Sequence, residues 1–191
     1  MKAFGDWMRR LRSQPANCEA TTVVVIEPYI RHYRAADLSK LLEIENECFR
    51  DPWSEEEFKR LLLQRNGFIR VVERSLGREV IGFIAYRIFK TRVEIDSVAV
   101  AEKYRRFGIG TRLIRELEAK HHSRRDVCEC LVSEWNLEAH QFLAAVGFRG
   151  VSVARECFVS SREEVQFEDG YLFELNMDRS IQSKERRRAG V

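Results

Sequence analysis

The sequence predicts an α/β domain built around one mixed β-sheet, and three observations lead to that prediction. The chain of 191 residues is 45% hydrophobic, which is enough apolar material for one sizeable core and too little for two domains. Alternating apolar patterns typical of strands are interleaved with apolar patterns at helical spacing. In order along the chain they read βααβββαβαββ, an arrangement expected to fold into a sheet flanked by helices.

The first strand and the two helices after it are each marked by a separate signal. Val23–Tyr33 begins with a β-branched run that is typical of a strand. Ala36–Phe49 carries apolar residues at helical spacing, with acidic side chains on the opposite side. Ser54 and Glu57 form a capping box, which predicts a second helix running to about Gln64.

A hairpin and a third strand are predicted next. Phe68–Arg74 and Glu79–Phe89 are strand-like and are separated by Leu76–Arg78, whose central glycine favours a tight turn. Arg92–Val100 alternates polar and apolar residues, which predicts a strand with one buried face.

The remaining elements alternate helix and strand before two final strands. Gly147 favours the end of the last helix, because glycine readily adopts the left-handed conformation of a helix C-terminus. The predicted elements are a helix at Gly110–His121, a strand at Val127–Ser133, a helix at Leu137–Val146, and strands at Val151–Phe158 and Tyr171–Asn176.

Composition and charge exclude several classes of protein. With 33 basic and 30 acidic residues, the net charge of +3 does not by itself require nucleic acid or membrane as a partner. No apolar run is long enough to span a bilayer, and the charged N-terminal segment lacks the apolar core of a signal peptide. The five cysteines are sparse and odd in number, so we expect no disulfide framework and a reducing cytoplasm. Cys128 and Cys130 have no second ligand pair, so we expect buried thiols and no metal.

The chain divides into a central domain at residues 23–178 and two short terminal segments. Residues 1–22 form an arm with apolar and basic residues at helical spacing, either a surface-binding amphipathic helix or an arm packed on its own domain. Residues 179–191 form a polar tail that contains the basic run Lys184–Arg188. Such a run could touch RNA, although a solvated terminus is the commoner outcome.

The turn Arg105–Gly110, with the sequence RRFGIG, carries the strongest functional signal. It joins a predicted strand directly to a helix, and the N-terminus of a helix exposes unpaired N–H groups that bind phosphate. Gly108 and Gly110 let the backbone approach an anion without interference from a Cβ. A dinucleotide fingerprint would need a glycine where Leu113 stands, and a P-loop would need a lysine directly after Gly110.

At this turn the sequence resembles the GNAT superfamily of N-acetyltransferases, whose signature is Arg/Gln-x-x-Gly-x-Gly/Ala. The stretch from Asp37 through Glu47–Phe58 is similar to the N-terminal helices of RimI-type members, which acetylate the N-terminus of a ribosomal protein. Asn136–Phe148 resembles the segment after the family's fifth strand, and Phe167–Met177 resembles its closing strand. The resemblance covers residues 23–178. It implies a single GNAT-fold domain with a mixed, mostly antiparallel sheet flanked by helices, and acetyl-CoA as the acetyl donor.

The resemblance also implies which residues bind acetyl-CoA. Part of one strand should pair with the pantetheine arm as if it were another strand, and the turn should hold the pyrophosphate. These residues are Val98, Ala99 and Val100 for the pantetheine, and Arg106, Phe107, Gly108, Ile109, Gly110 and Thr111 for the pyrophosphate. Arg105 is also expected to bind the cofactor, by adding positive charge. Asn136 should hydrogen-bond the pantetheine, and because it precedes a helical run it could also cap that helix.

Two carboxylates on the strand before the turn are the predicted catalytic residues. Acetyl transfer needs a neutral amine, and most amines are protonated near neutral pH, so a base is required. Glu94 and Asp96 lie two apart on a strand, so they face the same side and raise each other's affinity for a proton. The resemblance adds that Glu94 stands where several GNAT enzymes carry their general base. A solvated, charged strand face is the alternative.

The chain departs from the RimI pattern at several positions. That branch carries a glutamate where this chain has Leu131, a proton-donating tyrosine where it has Leu143, and paired tyrosines at Cys157 and Phe158. The acid–base pair of that branch is therefore absent. Further candidates, without positional support, are Glu129, Ser133, Glu134, Tyr86 and His140.

These observations predict a GNAT N-acetyltransferase that moves acetyl directly from acetyl-CoA to an amine. The RimI-like helices imply a protein or peptide N-terminus as acceptor, such as that of a ribosomal protein. A small amine or a lysine side chain is the alternative among enzymes. A catalytically idle acyl-CoA-binding module is the alternative from another class, favoured by the missing glutamate and tyrosine and opposed by Glu94 and Asp96.

Overall fold

The computed structural model describes residues 28–75, 77–160 and 166–177. The arm predicted at 1–22, the start of the predicted first strand and the basic tail at 179–191 lie outside these residues.

Seven strands and four α-helices follow one another among the described residues in the predicted order. The strands are β1 (Pro28–His32), β2 (Gly67–Arg74), β3 (Val80–Ile88), β4 (Arg92–Val100), β5 (Val127–Ser133), β6 (Arg149–Ser160) and β7 (Gln166–Asn176). The helices are α1 (Leu38–Cys48), α2 (Glu55–Leu63), α3 (Ile109–His121) and α4 (Leu137–Val146), with short 3₁₀ turns at Ala35–Asp37 and Glu102–Tyr104.

One sheet contains all seven of these strands, in the spatial order β1-β2-β3-β4-β5-β7-β6. Only β4 and β5 are parallel; every other neighbouring pair is antiparallel. The crossover between the parallel strands is α3, as a βαβ unit requires. The prediction of a mixed, mostly antiparallel sheet flanked by helices is therefore confirmed.

Helices pack against both faces of the sheet, and neither face is covered completely. Phe58 of α2 packs edge-on against Phe83 of β3, with ring centroids 5.6 Å apart. Tyr86, three residues further along β3 and so on the opposite face, contacts His121 of α3. On the α3 side, α4 covers a further part of the sheet, since its His140 packs against Phe173 of β7. The α1–α2 face of β5, β7 and β6 has no helix among the described residues, and we call it the open face.

Where the described residues include both ends of a predicted element, its boundaries hold to within two residues, except in the last strand. The Ser54–Glu57 capping box is present: the Ser54 hydroxyl accepts from the Glu57 N–H at 3.3 Å, and the Glu57 carboxylate accepts from the Ser54 N–H at 2.7 Å. β7 begins at Gln166 rather than at the predicted Tyr171. Polar residues and a glycine interrupt its apolar pattern there, but pairing with β6 keeps the backbone extended.

Candidate active site

β4 and β5 lie side by side for only part of their length. Their pairing runs from Arg92 opposite Val127 to Ile95 opposite Cys130. Beyond that point β4 continues to Val100 and β5 to Ser133, and among the described residues no strand pairs with the edge of β4 that faces β5. The two strands therefore diverge and leave a slot that an extended chain can enter as an additional strand.

A β-bulge lies at the mouth of this slot. Ile95 pairs with Tyr86 and Ser97 with Ala85, so Asp96 is an extra residue on β4. Such a bulge re-aims neighbouring side chains. Asp96 and Ser97 consequently both bond to groups on the α1–α2 side of the sheet.

The guanidinium of Arg87 joins the two predicted catalytic carboxylates. Its Nη2 donates to Glu94 Oε1 at 2.7 Å, and its Nε lies 3.0 Å from both carboxylate oxygens of Asp96. Glu94 and Asp96 thus share one face of β4, as predicted. Their mutual repulsion is offset by the cation between them, a contribution that the sequence analysis did not include.

Glu129 of β5 is a further acidic residue of this site. It pairs directly with Glu94 across the parallel strands, and Arg92 Nε lies 3.0 Å from its Oε2 atom. Burial raises the pKa of Glu129, while the nearby Arg92 opposes that shift. The sequence analysis named Glu129 but not its position beside Glu94. Neither strand alone shows how β4 and β5 pair, because a helix separates them in the chain.

Glu45 of α1 is a functional candidate that the sequence analysis missed. Its side chain is buried, with Oε2 accepting from the Ser97 hydroxyl at 3.1 Å and Oε1 from the Trp53 N–H at 3.3 Å. Burial raises the pKa of Glu45 to about 7, although both hydrogen bonds act in the opposite direction. Glu45 lies one helical turn after Leu41 on the apolar side of α1. An acidic residue at a position that faces the core was the signal in the sequence that could have identified it.

The RRFGIG turn presents the start of α3 to the slot. Gly108 adopts the left-handed conformation with φ of 76° and ends the turn, and Arg106 is also left-handed with φ of 66°. The first helical bond runs from the Arg112 N–H to the Gly108 carbonyl at 3.0 Å. The N–H groups of residues 109–111 precede it and have no acceptor within the helix, so they are suited to an anion.

The two glycines of the turn have different physical roles. A Cβ at Gly108 would meet none of the described residues within 4 Å, so its positive φ is what favours glycine there. A Cβ at Gly110 would lie 3.0 Å from the ring of Phe142 in α4, so this glycine allows α3 and α4 to pack closely. Both glycines were predicted to let an anion approach the backbone. The structure adds a packing role for Gly110.

Arg105 and Asn136 both make structural hydrogen bonds at the slot. Arg105 Nε donates to the Val100 carbonyl at 3.2 Å and its Nη2 lies 3.3 Å from Cys48 Sγ, which braces the end of β4 against α1. Asn136 Oδ1 accepts from the Ala139 N–H at 3.1 Å, which confirms the predicted helix cap. Their predicted contacts with acetyl-CoA remain predictions.

The positions that depart from the RimI pattern are split between the core and the open face. Leu143 is only 1% exposed, so it belongs to the core under α4. Leu131 and Phe158 meet beside Gly170, where a Cβ would come within 3.0 Å and 2.9 Å of their side chains respectively. An apolar patch therefore lies on the open face where that branch carries polar groups.

Cys128 and Cys130 are both buried, and burial raises the pKa of both thiols. Within residues 28–75, 77–160 and 166–177, no three His, Cys, Asp or Glu side chains are grouped to hold a metal ion. None of the helices in that part of the chain is long and apolar enough to cross a membrane.

Comparisons with solved structures give consistent folds at low sequence identity. The ribosomal-protein-S18-alanine N-acetyltransferase of Escherichia coli is 20% identical, with a TM-score of 0.68 over 79% of this chain and 94% of that one. Arabidopsis thaliana NAA60, bound to a bisubstrate analogue, is 22% identical, with a TM-score of 0.65 over 78% and 97% of the two chains. The spermidine/spermine N-acetyltransferase SpeG of Vibrio cholerae is 16% identical, with a TM-score of 0.62 over 82% and 96%.

Family membership is decided by the sequence comparison. A search of curated proteins finds no significant match. The model of the acetyltransferase (GNAT) family, however, matches residues 38–148, which is more than half of the chain and includes β4, the RRFGIG turn and α4. The chain therefore belongs to the GNAT family of N-acetyltransferases, enzymes that take the acetyl group from acetyl-CoA.

Proposed function

We propose that this enzyme acetylates the N-terminal amine of a protein or peptide in the cytoplasm. The observation that carries the proposal is the slot between β4 and β5, which opens onto a face of the sheet that bears several carboxylates. A slot of this kind suits the extended pantetheine arm, and the open face leaves room for a peptide beside it.

Acetyl-CoA would be held by backbone groups and a few side chains around the slot. The β5-facing edge at Val98–Val100 would pair with the pantetheine, and N–H groups at the start of α3 would hold the pyrophosphate. The cap of α4 uses the oxygen of the Asn136 side chain, so the proposed contact to pantetheine would come from its amide nitrogen. Arg105 would act mainly by bracing Val100, through the hydrogen bond described above.

The Arg87 cluster, which consists of Glu94, Asp96 and Arg87, would supply the base. The amine nitrogen attacks the thioester carbonyl, a C–N bond forms, and the C–S bond breaks to release coenzyme A as a thiolate. Before the attack, Glu94 takes one proton from the ammonium, directly or through water, and the second proton that the nitrogen loses on forming the amide goes through solvent to the released thiolate. Glu94 is the more accessible of the two carboxylates, with 29% of its side chain exposed against 11% for Asp96.

The choice of a protein N-terminus rests on where the open face lies. The loop between α1 and α2 borders this face, since Arg50 of that loop lies 3.6 Å from Glu168 of β7. The Escherichia coli enzyme with this fold is a ribosomal-protein-S18-alanine N-acetyltransferase, and Arabidopsis NAA50 was captured with the bisubstrate analogue CoA-Ac-MVNAL. These relatives support a peptide acceptor for this chain.

A thiol-release assay tests the proposal. Purified enzyme with acetyl-CoA is offered peptides with free N-termini, the same peptides with blocked N-termini and one internal lysine, and spermidine. We expect thiol release only with the free N-termini, and mass spectrometry should find a single added acetyl group on the first residue. Acetylation restricted to lysine or spermidine would reject the peptide N-terminus, and thiol release with none of the acceptors would favour an acyl-CoA-binding module.

A further inference from the structure

A buried carboxylate that takes no part in the Arg87 cluster lies at the far end of the open face. Glu168 of β7 is 7% exposed, and its Oε2 atom accepts a hydrogen bond from the Ser133 hydroxyl at 2.7 Å. Its other oxygen, Oε1, is buried and has no hydrogen-bond partner among the residues that the structure describes. Ser133 ends β5, in the part of that strand that has diverged from β4, so Glu168 lies beside the slot.

Arg50, in the loop between α1 and α2, approaches the oxygen that has no hydrogen bond. Arg50 Nη1 lies 3.6 Å from Glu168 Oε1, too far for a good hydrogen bond, and 56% of the Arg50 side chain is exposed. A carboxylate that is buried with one oxygen unpaired costs free energy relative to water. An exposed ion pair recovers little of it.

The surroundings of Glu168 suit a small cation better than an arginine. Phe158 is the cross-strand partner of Glu168, and Leu131 and Phe158 meet two residues along the strand at Gly170. The carboxylate therefore lies at the polar edge of the apolar patch. An ammonium group has three N–H donors on one compact centre, so it can reach a recessed oxygen that a planar guanidinium meets only at its tip.

We infer that Glu168 binds the ammonium group of the acceptor and that Arg50 is the cation displaced when the acceptor arrives. Arg50 would thus lower the affinity for an amine and restrict the site to acceptors that compete with it. The amine would then leave Glu168 and move along the open face toward the base proposed above, because the four strand residues from Glu129, the partner of Glu94, to Ser133 span about 13 Å. This inference rests on the proposed function for the identity of the acceptor, but the recognition of an amine by Glu168 can be measured separately.

Binding without turnover provides the test. Calorimetry on the enzyme saturated with coenzyme A, which carries no acetyl group, would use three probes: a lysine-free heptapeptide with a free N-terminal amine, the same peptide N-formylated, and spermidine. We expect the free amine to bind about tenfold tighter than the formylated peptide, the scale of one charge-assisted hydrogen bond. Glu168→Gln should reduce that ratio to near one without changing the affinity for coenzyme A.

Arg50→Gln should change the affinity in the opposite direction. Removing the competing cation should tighten binding of the free-amine peptide several-fold, whereas a bridge needed only for structure would weaken it when broken. Asp169→Asn is the matched control, because Asp169 is adjacent on β7, faces the other way and bonds Arg155. It removes one negative charge from the same strand and should leave the amine preference unchanged.

The outcomes separate this inference from the proposed function. If only spermidine shows Glu168-dependent binding, amine recognition stands and the peptide acceptor is rejected. Unchanged amine preference in Glu168→Gln, weaker binding in Arg50→Gln, or no binding of either amine by the wild type would each overturn the inference. Should Glu168→Gln unfold, the exposed Arg50→Gln variant still decides the sign of the effect.

Discussion

The carboxylate of Glu45 accepts a hydrogen bond from the hydroxyl of Ser97 at 3.1 Å, which ties α1 to β4 directly after the bulge at Asp96. The other carboxylate oxygen accepts from the backbone of Trp53, in the loop that borders the open face. One buried acidic residue therefore connects the slot for acetyl-CoA with the loop beside the proposed acceptor site. Charge on this residue should affect both stability and the position of that loop.

Glu45→Gln should stabilise the protein at alkaline pH relative to the wild type. Burial raises the pKa of Glu45 from the ordinary 4.5 to about 7, so between these values the native state binds more protons than the unfolded state. The free energy of unfolding of the wild type therefore falls as pH rises through this window, by up to about 3 kcal/mol. Glutamine keeps a hydrogen-bonding oxygen but no charge, so the variant escapes the loss.

Urea unfolding of both proteins at several values from pH 5 to pH 8 measures this difference. The stability of Glu45→Gln minus that of the wild type should grow steadily as pH rises. A difference in stability that is the same at every pH would show that the pKa of Glu45 is not raised in the native state.

His121→Phe should remove a loss of stability at acid pH. Burial, helped by Arg125, Lys120 and Arg124, lowers the pKa of His121 from 6.5 to about 4. Between these values the unfolded chain binds a proton that the native state does not, so the free energy of unfolding falls as pH falls through the window. Phenylalanine keeps the ring contact with Tyr86 and cannot titrate. Thermal unfolding at pH 7, 6, 5 and 4 should show a shallower decline in the variant; parallel curves would contradict the assignment.

Much of the fold could be predicted because local signals and tertiary packing agree. The β5 strand and the α4 helix have the predicted bounds, since apolar spacing and terminal residues such as Asn136 and Gly147 mark them in the chain itself. β7 was predicted too short because its extended conformation at residues 166–170 comes from pairing with β6. Strand pairing is a property of two segments, and one segment alone does not show it.

The candidate site was predictable only where a single segment carries it. The RRFGIG turn is contiguous, so its glycines and its helix start could be recognised in the sequence. The partners of the catalytic candidates come from elsewhere: Arg87 reaches Glu94 from a neighbouring strand, and Glu45 reaches Ser97 from a helix more than fifty residues earlier. The bulge at Asp96 and the divergence of β4 from β5 depend on register and have no signal of their own.

Alanine at Gly108 and at Gly110 should produce different defects. At Gly110 the new Cβ would lie 3.0 Å from the Phe142 ring, so Gly110→Ala should cost about 1–3 kcal/mol of stability through overpacking. Adding Phe142→Leu should recover part of it. At Gly108 there is space, but φ of 76° should cost about 1–2 kcal/mol, and the Cβ would project where the pyrophosphate is proposed to bind.

Urea unfolding and acetyl-CoA calorimetry on the variants distinguish the two effects. Gly108→Ala should weaken acetyl-CoA binding, and Phe142→Leu should not restore it. Wild-type affinity for acetyl-CoA in Gly108→Ala would remove the turn from the proposed pyrophosphate site.

Glu94→Gln should slow acetyl transfer most at low pH. A base that deprotonates an ammonium matters most where free amine is scarce, so turnover near neutral pH should fall by about 10²-fold or more. The deficit should shrink as pH approaches the pKa of the amine itself, while the affinity for acetyl-CoA stays near the wild-type value. Asp96→Asn should have a smaller effect, because Asp96 is less exposed and acts through the Arg87 that it shares with Glu94. The measurement is a pH–rate profile of the wild type and both variants on one good acceptor. An unaltered profile in Glu94→Gln would show that another residue is the base. Glu129, which pairs with Glu94 across the strands, would be the next residue to substitute.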